Sequence, residues 1–460
     1  MLPLIARHLY RLQESLLRRK TFAVLAQLNE SQWWPLEKLE SLQYARLRRI
    51  AHLAYEHMPY WRRVMEERKI LPDRLRSLDD LRRLPLLDKS MLQEHPDEME
   101  WLEGGRRVHM TRTSGSTNAP LEFYSCADRE AHVNAARIRG HEWVGMQRGE
   151  KEMYFWGSPV ELSKQDRLKQ VRDWLINDSL TGAFDLGEEV VQSCIEAWLR
   201  FRPKCIFCYP SSMVQAINIA EELGIDLGAL KRRGLKMVIT TAEILGENRE
   251  RISDALDVPV YDSYGLREVG LIGHECVHQR MHCTEEQLIL ETIDPHTLEP
   301  TLEEGELVVT NVVGAVMPIV RYRTGDMVRL SESLCECGRS LRTITVTGGR
   351  MMDCVVTSEG RWLSGVLFTY LAHHLPGVTK LQVRQDKIGE IRLLLVRNNE
   401  FSTETEKEAR HILRQRLRCD DTIRIEYVDD IPPSPSGKHR LVISSVAERL
   451  RPESGQPGPV

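Results

Sequence analysis

The sequence predicts an α/β protein, with a large N-terminal domain of layered sheets and helices that includes a β subdomain, followed by a small, mobile α+β C-terminal domain. Three observations predict it. Between residues 150 and 270 short apolar runs alternate with helical stretches, the pattern of strands joined by crossover helices. Beyond Glu286 the pattern changes to alternating strands and turns, which marks the β subdomain. The last hundred residues carry a strand, turn, strand, helix and strand of their own.

Taken in order, Leu42, Leu47, Ile50, Leu53 and Ala54 recur at near-helical spacing before a stop at Pro59, so residues up to about 100 form a helical layer. The opening segment, residues 1–28, is amphipathic and basic, which suits a helix packed on the body or peripheral contact with a membrane surface. The alternating region places strands at 153–156, 205–209, 237–240 and 258–261, with a helix at 193–201. Strands at 288–293 and 306–311 belong to the β subdomain. In the C-terminal part, strands at 381–383 and 391–396 flank a turn at 386–389. A helix marked by Ala409, Ile412, Leu413 and Leu417 is capped by Ser402 or Thr403, and a strand follows at 423–428. Paired glycines at Gly348 and Gly349 suit a hinge, so the predicted domains are 1–348 and 349–450, with a Pro- and Gly-rich disordered tail at 451–460.

Composition narrows the function. The chain has 460 residues, 42% of them apolar, enough for a sizeable core. Its 63 Lys and Arg against 67 Asp and Glu create no basic field for nucleic acid. No apolar run is long enough to span a bilayer, and the N-terminal segment is interrupted by Arg7, Arg11 and the Arg18-Arg19-Lys20 cluster with no small-residue cleavage site, which reads as cytoplasmic. Ten cysteines in a chain of this length are no disulfide framework, and Cys276, Cys283, Cys335 and Cys337 cluster in a His-rich stretch that suggests metal.

Four segments carry candidate chemistry. Thr113-Ser114-Gly115-Ser116-Thr117-Asn118-Ala119-Pro120 offers hydroxyls and freely turning amides to phosphate oxygens, while the absence of GxxxxGK[ST] excludes a P-loop. Tyr264-Gly265-Leu266-Arg267-Glu268 follows an apolar strand, where a carboxylate can hold magnesium on phosphates. In the stretch from Pro318 to Asp326, the aspartate follows a Thr-Gly turn and can accept from ribose hydroxyls. Lys438 lies in the Pro- and Ser-rich loop that begins at Pro433.

Together, in this order, the four segments resemble the adenylate-forming superfamily of acyl-CoA synthetases. Within it the chain resembles the phenylacetate-CoA ligase branch and the CapK-type proteins linked to capsular polysaccharide, through Pro59-Tyr60-Trp61, Arg267-Glu268-Val269-Gly270 and Cys335-Glu336-Cys337-Gly338-Arg339. The resemblance implies an ATP- and Mg2+-dependent ligase that activates a small carboxylate as acyl-AMP and passes the acyl group to a thiol, CoA, or to an amine. It makes Ser114, Gly115, Ser116 and Thr117 the phosphate loop, Glu268 the magnesium ligand, Asp326 and Arg350 the ribose ligands, and Lys438 the bridge between carboxylate and α-phosphate. Glu243 falls where the family lines its nucleotide and acyl pocket. Departures stand at Arg267, Asn118, Leu121 and Met352, and the Gly-x-Asn segment that typically follows the last of these is absent. The alternatives are an amide-forming ligase of polysaccharide biosynthesis and a non-catalytic nucleotide-binding homologue.

His274-Glu275-Cys276-Val277-His278 matches HExxH, but Gly270 and Gly273 before it and a strand soon after leave no room for the helix a zinc protease needs. Cys276, His282, Cys335 and Cys337 would instead make a closed, structural Zn2+ site, an arrangement some phenylacetate-CoA ligases resemble. His274, His278 and Cys283 compete as ligands, and reduced buried cysteines without metal are the alternative. Cys205 and Cys208 straddle an apolar strand and belong to the core.

Overall fold

Apolar runs such as Met237–Thr241 have no polar face to offer water, so they pair where helices can cover both sides. In the computed structural model of the chain they do so in a parallel array ordered Asp178–Gly182, Glu152–Trp156, Cys205–Cys208, Met237–Thr241 and Val260–Leu266. The structure describes residues 1–113, 121–156, 167–182, 188–350, 354–359, 362–364, 368, 375–417, 421–432 and 440–449. The helices Glu188–Phe201, Pro210–Glu222 and Asn248–Leu256 pack Ile195, Trp198, Met213, Ile217 and Ile252 against Ile206 and Val238 of the sheet. Cys205 and Cys208 are buried in that array as expected.

The sheet does not stop there. Gly270–Glu275 turns back antiparallel on Val260–Leu266, and Met281–Cys283, Thr343–Arg350, Tyr322–Ser331, Gly305–Asn311 and Leu288–Ile293 follow in hydrogen-bonded order. The strands of the predicted β subdomain therefore continue the parallel array as one 11-stranded sheet. Leu290, Leu307 and Val309 of this half share a core with Leu47, Ala54 and Trp61 of the N-terminal helices Leu36–His57 and Pro59–Glu67. Pro59 does end the first of these, but it also opens the next as its first residue, where a missing N–H costs nothing.

Two features depart from the sequence reading. The strand expected at 258–261 runs from Val260 to Leu266, because Gly270–Glu275 supplies a ladder that carries Tyr264 and Gly265 inside the strand. A 17-residue helix, Ala127–Trp143, has no strong apolar stripe; it is held by small buried alanines and by Arg139, whose guanidinium makes a two-bond pair with buried Glu286.

Thr422–Tyr427, Glu390–Arg397, Val378–Lys387 and Val442–Ser444 form a separate four-stranded sheet. Its core joins Leu381, Val383, Ile391 and Leu393 to Ala409 and Leu413 of the helix Thr403–Leu417. Ser402 is the cap, accepting from the Thr405 N–H at 3.2 Å, and Gly389 takes the left-handed conformation (φ +78°) that the tight turn requires. Ser114 to Thr117, Met352, Lys438 and the tail at 451–460 lie outside the described residues. Among the described residues no helix is long and apolar enough to cross a membrane.

Candidate functional site

The C-terminal ends of parallel strands are where an α/β sheet leaves room for ligand, and four of the expected residues collect there. Val260–Leu266 and Gly270–Glu275 form a hairpin whose ends present Tyr264 and Glu268 to the strand Tyr322–Ser331. The Tyr264 hydroxyl donates to Asp326 Oδ2 at 2.5 Å, and the Tyr322 hydroxyl donates to Glu268 Oε1 at 3.0 Å. These two bonds hold Glu268 and Asp326, the carboxylates expected at magnesium and ribose, on one framework. Asp326 is also paired across the ladder with Arg350, the other expected ribose residue.

Two buried ion pairs aim that strand. Arg321 bonds both carboxylate oxygens of Glu291 at 3.1 Å, and Arg323 bonds Glu306 at distances down to 2.6 Å. Glu306 Oε1 accepts the Gly325 N–H at 3.1 Å, which fixes the turn immediately before Asp326, and Gly325 (φ +79°) has the left-handed conformation. Arginine suits this role because its planar fork meets a carboxylate with more than one bond.

The residues that lead into and out of the expected phosphate loop lie beside the hairpin. Thr113 and Leu121 clasp the two ends of residues 114–120, with N–H to O and N–H to Oγ1 bonds of 2.9 Å. Arg267 donates to the Arg112 carbonyl at 3.0 Å, and its own carbonyl accepts from Arg129 at 2.8 Å. Burial lowers Arg129 to about 10, opposed by Glu268. Arg267 thus ties the hairpin to the strand His109–Arg112, which leads to residues 114–120.

Glu243 follows the strand Met237–Thr241, whose Thr241 pairs with Ser263 next to Tyr264. It accepts from the Ser211 N–H and hydroxyl at 3.0 and 2.9 Å, at the ends of the middle strands. Beside it, Asp262 accepts from the Thr240 hydroxyl at 2.8 Å, and burial, then Glu275, raise its carboxyl to about 7. Burial and the charges of Glu243 and Asp262 together push the Cys208 thiol up. Asp262, Ser211, Tyr322 and Arg129 escaped the sequence reading; Tyr322 alone lay inside a motif that had been singled out.

The metal candidates do converge. The donor atoms of Cys276, His282, Cys335 and Cys337 all lie within 4.8 Å of one another. Cys276 follows the strand Gly270–Glu275, and Cys335 begins a turn closed by the Gly338 N–H on its carbonyl at 2.9 Å. Cys276 Sγ and Cys335 Sγ are 3.7 Å apart, and two thiolates each about 2.3 Å from a tetrahedral zinc would be separated by about 3.8 Å. His282 faces Cys337 Sγ with Nε2 at 3.1 Å while Nδ1 bonds the Leu341 carbonyl, the outer support that orients a metal-binding imidazole. The donor set therefore fits zinc. The competing ligands point elsewhere: His274 bonds the Glu275 carbonyl, His278 pairs with Glu336, and Cys283 is not in the group. His274 and Glu275 lie in a strand, so the HExxH spelling has no helix.

The architecture is that of an adenylate-forming ligase. A solved 2-hydroxyisobutyryl-CoA ligase in the postadenylation state with a bound acyl-AMP superposes with a TM-score of 0.73, at 18% identity over 91% of this chain and 92% of that one. A phenylacetate-coenzyme A ligase from Aromatoleum evansii is 30% identical over 345 residues, covering 70% of this chain and 74% of the relative. The chain belongs to the phenylacetate-coenzyme A ligase family. Residues 355–445 match the family model of the CapK C-terminal domain, and Protein CapK of Staphylococcus aureus is 22% identical over 80% of this chain and 81% of its own length.

Proposed function

We propose that the protein is an ATP-dependent acid ligase that forms an acyl adenylate and transfers its acyl group to CoA. The observation that carries this reading is the pair of hydroxyl-to-carboxylate bonds that sets Glu268 and Asp326 on one framework, in a member of this ligase family. In the first step a carboxylate oxygen attacks the α-phosphorus, and the bond to the bridging oxygen breaks as pyrophosphate leaves with its electron pair. Both partners are anions, so positive charge must be held between them. Lys438 would supply it, from the small domain that follows the strand Thr343–Arg350. Glu268 would hold magnesium, which neutralises charge on the phosphates when bound. Asp326, aligned by Tyr264, would take the ribose hydroxyls, with the residues from Thr113 to Thr117 around the phosphates and Gly265, where a Cβ would meet the Gly270 carbonyl at 2.7 Å, letting the hairpin close next to Tyr264. In the second step the thiolate attacks the acyl carbon and AMP leaves. We further propose that Cys276, His282, Cys335 and Cys337 hold one structural zinc.

A second acceptor class, an amine, is tested beside CoA, since residues 355–445 match the CapK C-terminal domain. Exchange of labelled pyrophosphate into ATP across a panel of carboxylates tests the first step. Glu268→Gln should lower it at least tenfold, about 1.4 kcal/mol of barrier. Product analysis with CoA or amines decides the acceptor. No exchange with any acid, or an unaffected Glu268→Gln enzyme, would defeat the reading.

A further inference from the structure

The first helix, Pro3–Leu16, leaves more apolar surface in water than a helix that merely covers a protein. Such a helix turns its apolar stripe inward and its charges to water. Here the side facing the body carries only Ala6, Tyr10 and Glu14; Tyr10 packs with Val24, Leu25 and Leu28, and Tyr10 and Glu14 border a polar cavity of about 190 Å³ shared with Arg137, Arg148 and Asp178. The contacts there are polar: the Arg148 guanidinium lies 4.1 Å over the Tyr10 ring, and Glu14 accepts from Thr21, Arg19 and Asn134.

The leucine side faces out. Leu2, Ile5, Leu12 and Leu16 fall on one stripe and are 69%, 45%, 56% and 68% exposed, with half-buried Leu9 between them. At the near end of this helix, the Met1 carbonyl accepts from Asn177, which follows the helix Arg167–Leu175. That second helix exposes Val171 and Trp174, and indole is a side chain that favours the boundary between water and lipid.

Charge selects the occupant. From Met1 to Asn29 the cations are Arg7, Arg11, Arg18, Arg19 and Lys20, and the single acid, Glu14, is buried. Arg11, Arg18 and Lys20 are exposed. Pairing this stripe with a second copy would bring two sets of cations together, whereas an anionic bilayer attracts the cations and accepts the leucines. We propose that the helix Pro3–Leu16 docks the enzyme on an anionic membrane surface, its leucine stripe entering the headgroup boundary and its arginines lying among lipid phosphates.

Flotation of the full chain with phosphatidylcholine vesicles, with and without phosphatidylglycerol, tests this. The protein should float with the anionic vesicles, weakly with neutral ones, and less as salt rises. Leu12→Glu should lower the partition about tenfold, and Arg11→Glu with Arg18→Glu should remove the preference for anionic lipid. Leu16→Gln, a milder change at another exposed position, should also weaken binding. All variants should retain wild-type pyrophosphate exchange and melting temperature, which separates docking from catalysis and folding. No flotation of the wild type, equal flotation of the leucine variants, or a dimer that Leu12→Glu dissociates would overturn the proposal, the last in favour of a second copy.

Discussion

Replacing Arg323 with Met would expose how firmly the site is braced from beneath. Arg323 and Glu306 are both fully buried and joined by bonds of 2.6 to 3.2 Å. Removing the guanidinium leaves a carboxylate in the core with the Gly325 N–H but without its cation, a change that costs about 3–5 kcal/mol. Replacing both partners, Arg323→Met with Glu306→Leu, removes the stranded charge and should recover part of that loss. The Gly325 amide would then have lost its acceptor, so about 1–3 kcal/mol should stay missing. Urea unfolding followed by tryptophan fluorescence measures both. Because Gly325 immediately precedes Asp326, the double variant should fold yet show a raised KM for ATP in pyrophosphate exchange. A single variant destabilised by less than about 1 kcal/mol, or a double variant no more stable than the single, would refute the reasoning.

Three further outcomes are expected. Purified protein should contain about one zinc per chain, and Cys335→Ser should lose both the metal and thermal stability, read by elemental analysis and melting, because metal binding to a site absent from the unfolded chain adds folding energy. Asp262, raised to about 7 from an ordinary 3.8, holds a proton in the folded state that the unfolded chain releases, so its contribution to stability falls as pH rises through that window, by at most about 1.4 kcal/mol per pH unit. Asp262→Asn should therefore gain on wild type between about pH 4 and pH 7 in denaturant titrations; parallel curves would dismiss the buried-acid account. Lys438→Ala should nearly abolish adenylate formation yet consume a supplied acyl adenylate at the wild-type rate, and equal loss in both assays would count against a lysine that acts only in the first step.

Sequence by itself determined the parts whose signal is local. Apolar runs with β-branched residues announced the parallel strands, and the Ser402 cap and Gly389 turn were readable because capping and left-handed turns need particular residues. The four candidate metal ligands were nameable because cysteine and histidine spacing carries chemical meaning. Tertiary structure alone decided the rest, for one physical reason: the partners are far apart along the chain. Tyr264 meets Asp326 across 62 residues, Tyr322 meets Glu268 across 54, and no local pattern encodes either bond. The helix Ala127–Trp143 escaped notice because a buried arginine reads as a surface residue until Glu286, 147 positions away, neutralises it. The choice among His274, His278, His282 and Cys283 likewise waited on folding, since only a closed chain shows which donor atoms share a space of 4.8 Å.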